Sequence, residues 1–413
     1  MTQDKPDGKV GGSARPEEVV SAILSQGRGR RIGNPPDRPD KTGWCNVKRL
    51  PFLVLALLLL VGCGKKQAPA PTKAADPAQI SAAASDKAPT RPAYDKSQLA
   101  VFAPLPATMV SADNPLSAAK IALGKMLYFD KRLSKNHDVS CNSCHDIGKY
   151  GVDGQPTSTG HRGQKGGRNA PTVYNAAGHL AQFWDGRAAT VEEQAKGPVL
   201  NPIEMALPDA AAAERVLRSI PGYAAAFALA FPEAGQASVT FDNFAQAVGA
   251  YERTLVTPSR WDRLLGGDEG ALTDPEKQGL ALFHATGCIA CHNGAYLGGS
   301  SYQKLGAVKP WPRPVDDGRG AISKAPADMG KFKVPSLRNI AETGPYFHDG
   351  QTAELKEAVI LMARHQLGKE LSDADAAAIV VWLGALTGAL PKDANTQPTL
   401  PPSGPDTPAA DAN

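Results

Sequence analysis

Long apolar runs are scarce in this 413-residue chain. The longest, Leu50 to Gly62, has 13 residues, fewer than the roughly 20 that a transmembrane helix needs. Aromatic residues make up only 6% while alanine is abundant, a balance that favours helices over sheets. Cysteines number only six, at positions 45, 63, 141, 144, 288 and 291, too sparse in so large a chain for a disulfide scaffold. Charge of one sign is also lacking. The 45 basic and 41 acidic residues leave a formal +4, and no zinc-finger, helix-turn-helix or RNA-binding motif accompanies it, so nucleic-acid binding is not expected. The chain is long enough for two compact domains, each with its own core.

The amino end reads as a targeting segment. Lys48 and Arg49 precede the apolar run, which ends in Leu60-Val61-Gly62-Cys63. The order basic, apolar, small is that of a secretory signal, and its last four residues resemble a bacterial lipobox. That resemblance implies cleavage before Cys63, lipidation of its thiol and, with Gly64 next, an outer-membrane anchor facing the periplasm. An ordinary signal peptide or a short membrane anchor are the plainer alternatives. Residues 1–46 then read as an unpatterned extension from a mis-assigned start, 47–62 as the signal, and 63–97 as a disordered Ala/Pro-rich tether. Residues 391–413, rich in Pro, Thr, Ala and Asp, read as a second disordered tail.

Four of the six cysteines fall in two CxxCH motifs, Cys141-Asn142-Ser143-Cys144-His145 and Cys288-Ile289-Ala290-Cys291-His292. Two thiols separated by two residues lie about one helical turn apart. They can reach both vinyl groups on one haem edge, and the adjacent imidazole then serves as an axial iron ligand. A redox dithiol or half of a zinc site are the other readings of one such motif. Two of them in an exported chain point to two covalently bound c-type haems.

Helical patterning surrounds each motif. Residues 115–133 carry apolar positions at helical spacing. Residues 273–284 begin with Thr273 as N-cap, Glu276 at the capping-box position and Pro275 in the first turn. Ser372 can cap a closing helix to Leu386, on which Ile379, Leu383 and Leu386 share a face. The expectation is an all-α fold of two cytochrome c-like domains, residues 98–252 and 253–390, each enclosing one haem.

From Leu116 onward the chain resembles the bacterial di-haem cytochrome c peroxidase family, which includes the MauG-type enzymes. The resemblance covers about residues 100–390 and rests on LGKMLYFDKRLS before the first motif, HRGQKGGRNAPTVYNA at 161–176, FWDGRA at 183–188, GPVLNPIEM at 197–205, KVPSLRNIAETGPYFHDG at 333–350 and MARHQLG at 362–368. It implies that the first domain is peroxidatic and the second transfers electrons.

Residue roles follow from the same resemblance. His161, in a Gly-rich loop, matches the distal histidine that caps the first haem in the resting state and leaves when the second is reduced; alone it would read as a surface histidine. Glu204 matches the catalytic acid that moves a peroxide proton, though in isolation it is a helix-start carboxylate after Pro202. Trp184 matches the tryptophan between the haems, which is compatible with plain core packing. Met362 matches the distal ligand of the second haem, with His365 a competitor on the same face and core packing the ordinary role of a lone methionine. MauG-type enzymes carry tyrosine there, so methionine favours simple peroxidase chemistry. Asn169, Thr343 and Pro345 match the oxygen donors of a Ca2+ ion, for which no EF-hand is present.

The implied activity is reduction of hydrogen peroxide to water. Electrons from a small periplasmic cytochrome c or blue copper protein enter at the haem of His292 and Met362, pass Trp184 and reach the haem of His145. A homodimer is a further family expectation. The alternatives are a MauG-like oxidase of another protein and a di-haem electron carrier.

Overall fold

The computed structural model describes residues 91–413. The extension, signal, lipobox Cys63 and most of the tether lie outside the described residues. Among those described, no helix is long and apolar enough to cross a membrane.

The fold is helical, as expected. The first half contains α1 (Ala118–Phe129), α2 (Cys141–Cys144), α3 (Val191–Leu200), α4 (Ala210–Arg218), α5 (Pro221–Ala230) and α6 (Phe241–Glu252). The second contains α7 (Arg260–Leu265), α8 (Asp274–Thr286), α9 (Gly320–Ser323), α10 (Leu355–Leu361) and α11 (Asp373–Gly384). Two three-residue strands, β1 (Tyr302–Lys304) and β2 (Lys331–Lys333), pair antiparallel, with Tyr302 opposite Lys333. The capping signals read from sequence operate: Thr273 and Glu276 form a capping box on α8, and the Ser372 side chain accepts from the Asp375 N–H at the start of α11.

Each half has its own core. Leu123, Leu127, Phe227, Phe244 and Val248 belong to the first; Trp261, Leu280, Phe283, Ile379 and Trp382 belong to the second. Each is built on one tight helix crossing that a glycine permits. A Cβ on Gly124 of α1 would overlap the Ala247 carbonyl oxygen of α6, and one on Gly279 of α8 would overlap the Ala378 carbonyl oxygen of α11. Backbones this close leave no room for a methyl group.

The chain ends depart from the expected boundaries. Residues 91–97 are not tether. Asp95 caps a 3-10 helix, Lys96–Val101, and Tyr94, Leu99 and Phe102 pack on the second core rather than the first. Arg91 pairs with Asp375 of α11 at 3.0 Å, and Leu105 donates its N–H to Asp262 of α7 at 2.8 Å. The carboxyl end does the reverse. Residues 391–413 pack on the first half instead of forming a loose tail: Ala394 is buried in the first core, with Leu390 and Leu400 against it. Arg132 donates to Ser403 at 3.0 Å, and the Asp411 N–H to the Lys135 carbonyl at 2.9 Å. A few apolar anchors and backbone bonds hold these segments, which lack helical periodicity. Each half is thus braced by the chain end that is remote from it in sequence.

The two glycine crossings give a direct check. Gly124→Ala and Gly279→Ala should each destabilise the protein by about 1–3 kcal/mol, the usual cost of overpacking. Thermal unfolding should also show that alanine at half-buried Gly384, where a Cβ meets nothing within 4 Å, has no comparable cost.

Candidate active site: two CxxCH centres and the seam between them

Both CxxCH segments fold into the same turn. In the first, the His145 N–H donates to the Cys141 carbonyl at 2.9 Å; in the second, the His292 N–H donates to the Cys288 carbonyl at 3.0 Å. Burial pushes the Cys141 and Cys288 thiols up to about 12. A thiol so disposed is a poor thiolate, which argues against a redox dithiol. Among the described residues no group of three or more His, Cys, Asp and Glu is arranged to hold a metal ion, so neither motif has the remaining donors of a zinc site.

The histidines suit haem iron. Burial lowers the pKa of both His145 and His292, keeping the imidazoles neutral and able to donate a lone pair. His292 Nδ1 lies 3.0 Å from the Leu297 carbonyl; donation there leaves Nε2 as the free lone pair. His145 Nδ1 is buried without a hydrogen-bond partner, beside the carbonyls of Gly151 and Pro171. Tyr128 fixes the same residue from behind, its hydroxyl donating to the His145 carbonyl at 2.7 Å.

His161 and Glu204 are neighbours through their backbones. The His161 N–H donates to the Glu204 carbonyl at 2.8 Å. A Cβ on Gly160 would overlap the Ile203 carbonyl oxygen, so the loop lies directly on the 203–204 backbone. Gln164 bonds the carbonyls of both His161 and Pro202. His161 is 4% exposed and its Nδ1 has no partner, which excludes a surface histidine. Arg162 and Gly163 both have positive φ, 58° and 73°; Gly163 accepts this readily, and Arg162 makes the turn the strained part of the loop.

Glu204 lines a cavity of about 280 Å³ with Phe183, Arg187, Ala188, Glu193, Gly197, Pro198 and Asn201. Burial raises its pKa, against the opposing pull of Arg187 and a hydrogen bond from Asn201. A carboxyl poised this way can take and return a proton. Sequence reasoning gives no role to Arg187 or Phe183, both within FWDGRA. The Arg187 guanidinium lies 3.4 Å from the Phe183 ring centroid and is held by Asp185 at 3.0 Å.

Trp184 sits at the seam between the halves. Its indole N–H donates to the Asn169 carbonyl at 2.9 Å, and its ring meets His348 of the second half edge-on at 6.4 Å. Its carbonyl accepts from the Lys333 N–H at 2.8 Å, while the Asn169 N–H donates to the His348 carbonyl at 2.8 Å. The halves thus exchange equivalent bonds. Phe183 and Phe347, Asn175 and Asn339 repeat the same positive φ, between 60° and 68°. Buried Thr257 joins the last pair, its hydroxyl accepting from Asn175 Nδ2 at 2.8 Å and from Asn339 Nδ2 at 2.9 Å. None of these matched turns was read from sequence, although the strings DG at 185–186 and 349–350 and N at 175 and 339 carry them.

Asn169 also donates through Nδ2 to the Gln155 carbonyl at 3.0 Å. A Cβ on Gly350 would overlap the Pro156 carbonyl oxygen, so the 346–352 hairpin, into which Thr343 and Pro345 lead, packs on the same 155–156 turn. Met362 opens a π-helical turn, Met362–Gln366, that interrupts the helix expected through this stretch; such turns recur at functional sites. His365 is committed elsewhere: Nδ1 lies 2.7 Å from the Pro310 carbonyl and the ring packs on Trp311.

This architecture is shared with known proteins. The profile described as di-haem cytochrome c peroxidase matches residues 118–270. The chain is 48% identical over 316 residues to the cytochrome c551 peroxidase of Pseudomonas aeruginosa, covering 75% of this chain and 90% of that protein. It is 47% identical over 305 residues to the cytochrome c551 peroxidase of Nitrosomonas europaea, covering 73% and 90%. The crystal structure of a MauG-like protein associated with microbial copper homeostasis superposes with a TM-score of 0.63 at 30% identity, covering 71% of this chain and 97% of that one. The chain therefore belongs to the di-haem cytochrome c peroxidase family. It is an enzyme of peroxide reduction with two covalently bound c-type haems in two cytochrome c-like domains.

One buried carboxyl in the first half predicts a pH dependence of stability. Glu252 of α6 is 3% exposed, and burial and then Glu192 raise it to about 8 against the pull of Arg253. Between its unfolded value and about 8 the native state holds a proton that the unfolded chain has released, so stability falls as pH rises through that window. Glu252→Gln should flatten the fall in melting temperature between pH 5 and 8; an unchanged slope would assign it to other groups.

Proposed function

We propose that the two halves divide the work: the His145 half handles peroxide and the His292 half receives electrons from a small periplasmic cytochrome c or blue copper protein. The observation that carries this is the asymmetry of the surroundings. Among the described residues, only the first half has a loop histidine, His161, hydrogen-bonded through its backbone to a half-buried acid, Glu204, which lines a cavity with Arg187. The matched loop in the second half places Asp349 against Arg313 at 2.9 Å and packs Phe347 on Trp311.

Cys141 and Cys144 would hold the first haem with His145 as iron ligand; Cys288 and Cys291 would hold the second with His292 and Met362. When bound, haem supplies the redox-active iron at which peroxide is reduced. The protein residues do the rest. Glu204, whose pKa burial raises, takes a proton from the inner peroxide oxygen and returns it to the outer one. Arg187 supplies positive charge beside it in the same cavity, stabilising charge that develops there. His161 closes the site at rest, and its turn of two positive-φ residues lets it swing clear. Trp184, bonded to both halves, lies on the electron route. Met362 is a soft donor that favours reduced iron, and the engagement of His365 with Pro310 supports it over the histidine.

Asn169, Thr343 and Pro345 supply oxygen donors for Ca2+ where the 155–156 turn meets the second half, so the ion would stiffen the seam. The remaining parts of the reading follow from the targeting segment and the family: export to the periplasm, a lipid anchor through Cys63 and a homodimer.

Glu204→Gln tests the central assignment. Steady-state peroxide turnover should fall by about 10²–10⁴-fold, the usual contribution of a general acid–base, while the intact mass still shows two haems. Retained turnover with both haems attached would remove Glu204 from the proton path.

A further inference from the structure

A lysine is rarely buried without an acidic partner. Lys333 ends β2 and is 8% exposed. Its ammonium donates to the Ala181 carbonyl at 2.8 Å and lies 3.4 Å from His179 Nδ1. Its backbone N–H donates to the Trp184 carbonyl at 2.8 Å. One residue of the second half thus grips the loop of the first half at two points, three residues apart, on the limb that leads into the indole. Pro335, two residues further on, sets its carbonyl beside the His292 imidazole. The short run 333–335 therefore spans from Trp184 to the second CxxCH centre.

The matched position of the first half is Asn169, whose N–H makes the equivalent bond to the His348 carbonyl. An amide would have served the backbone exchange equally well at 333. The ammonium adds two things an amide lacks: a charge-assisted bond, about twice as strong as a neutral one, and a positive charge at the seam. That charge is not neutralised in contact. The acid that faces it is Asp185, which is already held by Arg168 at 2.7 Å and Arg187 at 3.0 Å. The other titratable neighbours are His179, which burial and Lys333 together keep neutral, and Tyr302, opposite it on β1.

We propose that Lys333 is a positioning residue for electron transfer between the two centres, clamping the Trp184 loop through its charged ammonium. This rests on the reading of Trp184 as part of the electron route. Burial lowers the ammonium toward about 8, so the clamp weakens within an accessible pH range. Loss of the proton leaves a weaker neutral bond to Ala181, and transfer slows as pH rises.

The test is the rate of electron transfer between the haems in the two-haem protein, followed by flash or stopped-flow reduction from pH 6.5 to 9.5. Wild type should slow as pH passes about 8. Lys333→Met should be slow at every pH, with haem content and circular dichroism unchanged. Lys333→Arg, charged throughout, should stay near the wild-type low-pH rate across the range. Trp184→Phe should slow transfer, and adding Lys333→Met to it should bring no further loss. A Lys333→Met protein that keeps the wild-type rate and pH step would overturn the proposal and assign the step to another group, such as Glu252. Equal losses from Lys333→Met with and without Trp184 would overturn it too, since the lysine would then act elsewhere. If Trp184→Phe alone changed nothing, the route through the indole would fail, and the proposal with it.

Discussion

The reciprocal exchange of hydrogen bonds across the seam is the constraint on which the rest depends. Asn169 donates to the His348 carbonyl and Lys333 to the Trp184 carbonyl, and beneath them the Thr257 hydroxyl is shared by Asn175 and Asn339, all three fully buried. Buried polar groups with all their partners rigidify what they join, whereas one left unpaired would be costly. These bonds fix the two halves in one register, and that register holds Trp184 at the seam between them. The same segments run directly into the CxxCH environments: Thr172 bonds the Tyr150 carbonyl and Ser336 the Tyr296 carbonyl, each at 2.6 Å, where the chain turns back behind its histidine.

On this matched frame the differences carry the function. Trp184 of the first half corresponds to His348 of the second, Asn169 to Lys333 and Arg187 to Gln351. Phe183 is covered by Arg187, which opens a cavity toward Glu204; Phe347 is covered by Trp311. The 161–164 loop, laid on the Glu204 turn, belongs to the first half. The crossed chain ends brace the arrangement from outside, with residues 94–102 on the second core and 390–400 on the first.

Much of this was legible in the sequence. The CxxCH spacing dictates its chemistry almost alone, and the caps at Thr273 and Ser372 mark real helix starts. The pairing of His161 with Glu204, distant in sequence, came from family resemblance rather than from any pattern. Other features were hidden for physical reasons. The ends lack periodicity because they are held by isolated anchors such as Leu99, Ala394 and Leu400, so their Pro- and Ala-rich composition reads as disorder. The repeat of the halves resides in backbone conformation at Phe183 and Phe347 and in hydrogen bonds, which residue identity barely records. Lys333 reads as an ordinary surface lysine until β2 buries it. The π-helical turn at Met362 breaks a stretch whose composition reads as one continuous helix.

The proposed division of labour requires two similar haem centres to be functionally unequal. The most direct measurement adds one electron per molecule to the oxidised protein, in the presence of calcium, and follows the absorption and spin resonance spectra of each haem before peroxide is mixed in. The electron should settle on the centre of His292 and Met362, the centre of His145 should turn high-spin as His161 leaves, and peroxide should then be consumed. An electron that settles on the His145 centre, or two centres that stay low-spin while peroxide persists, would contradict it.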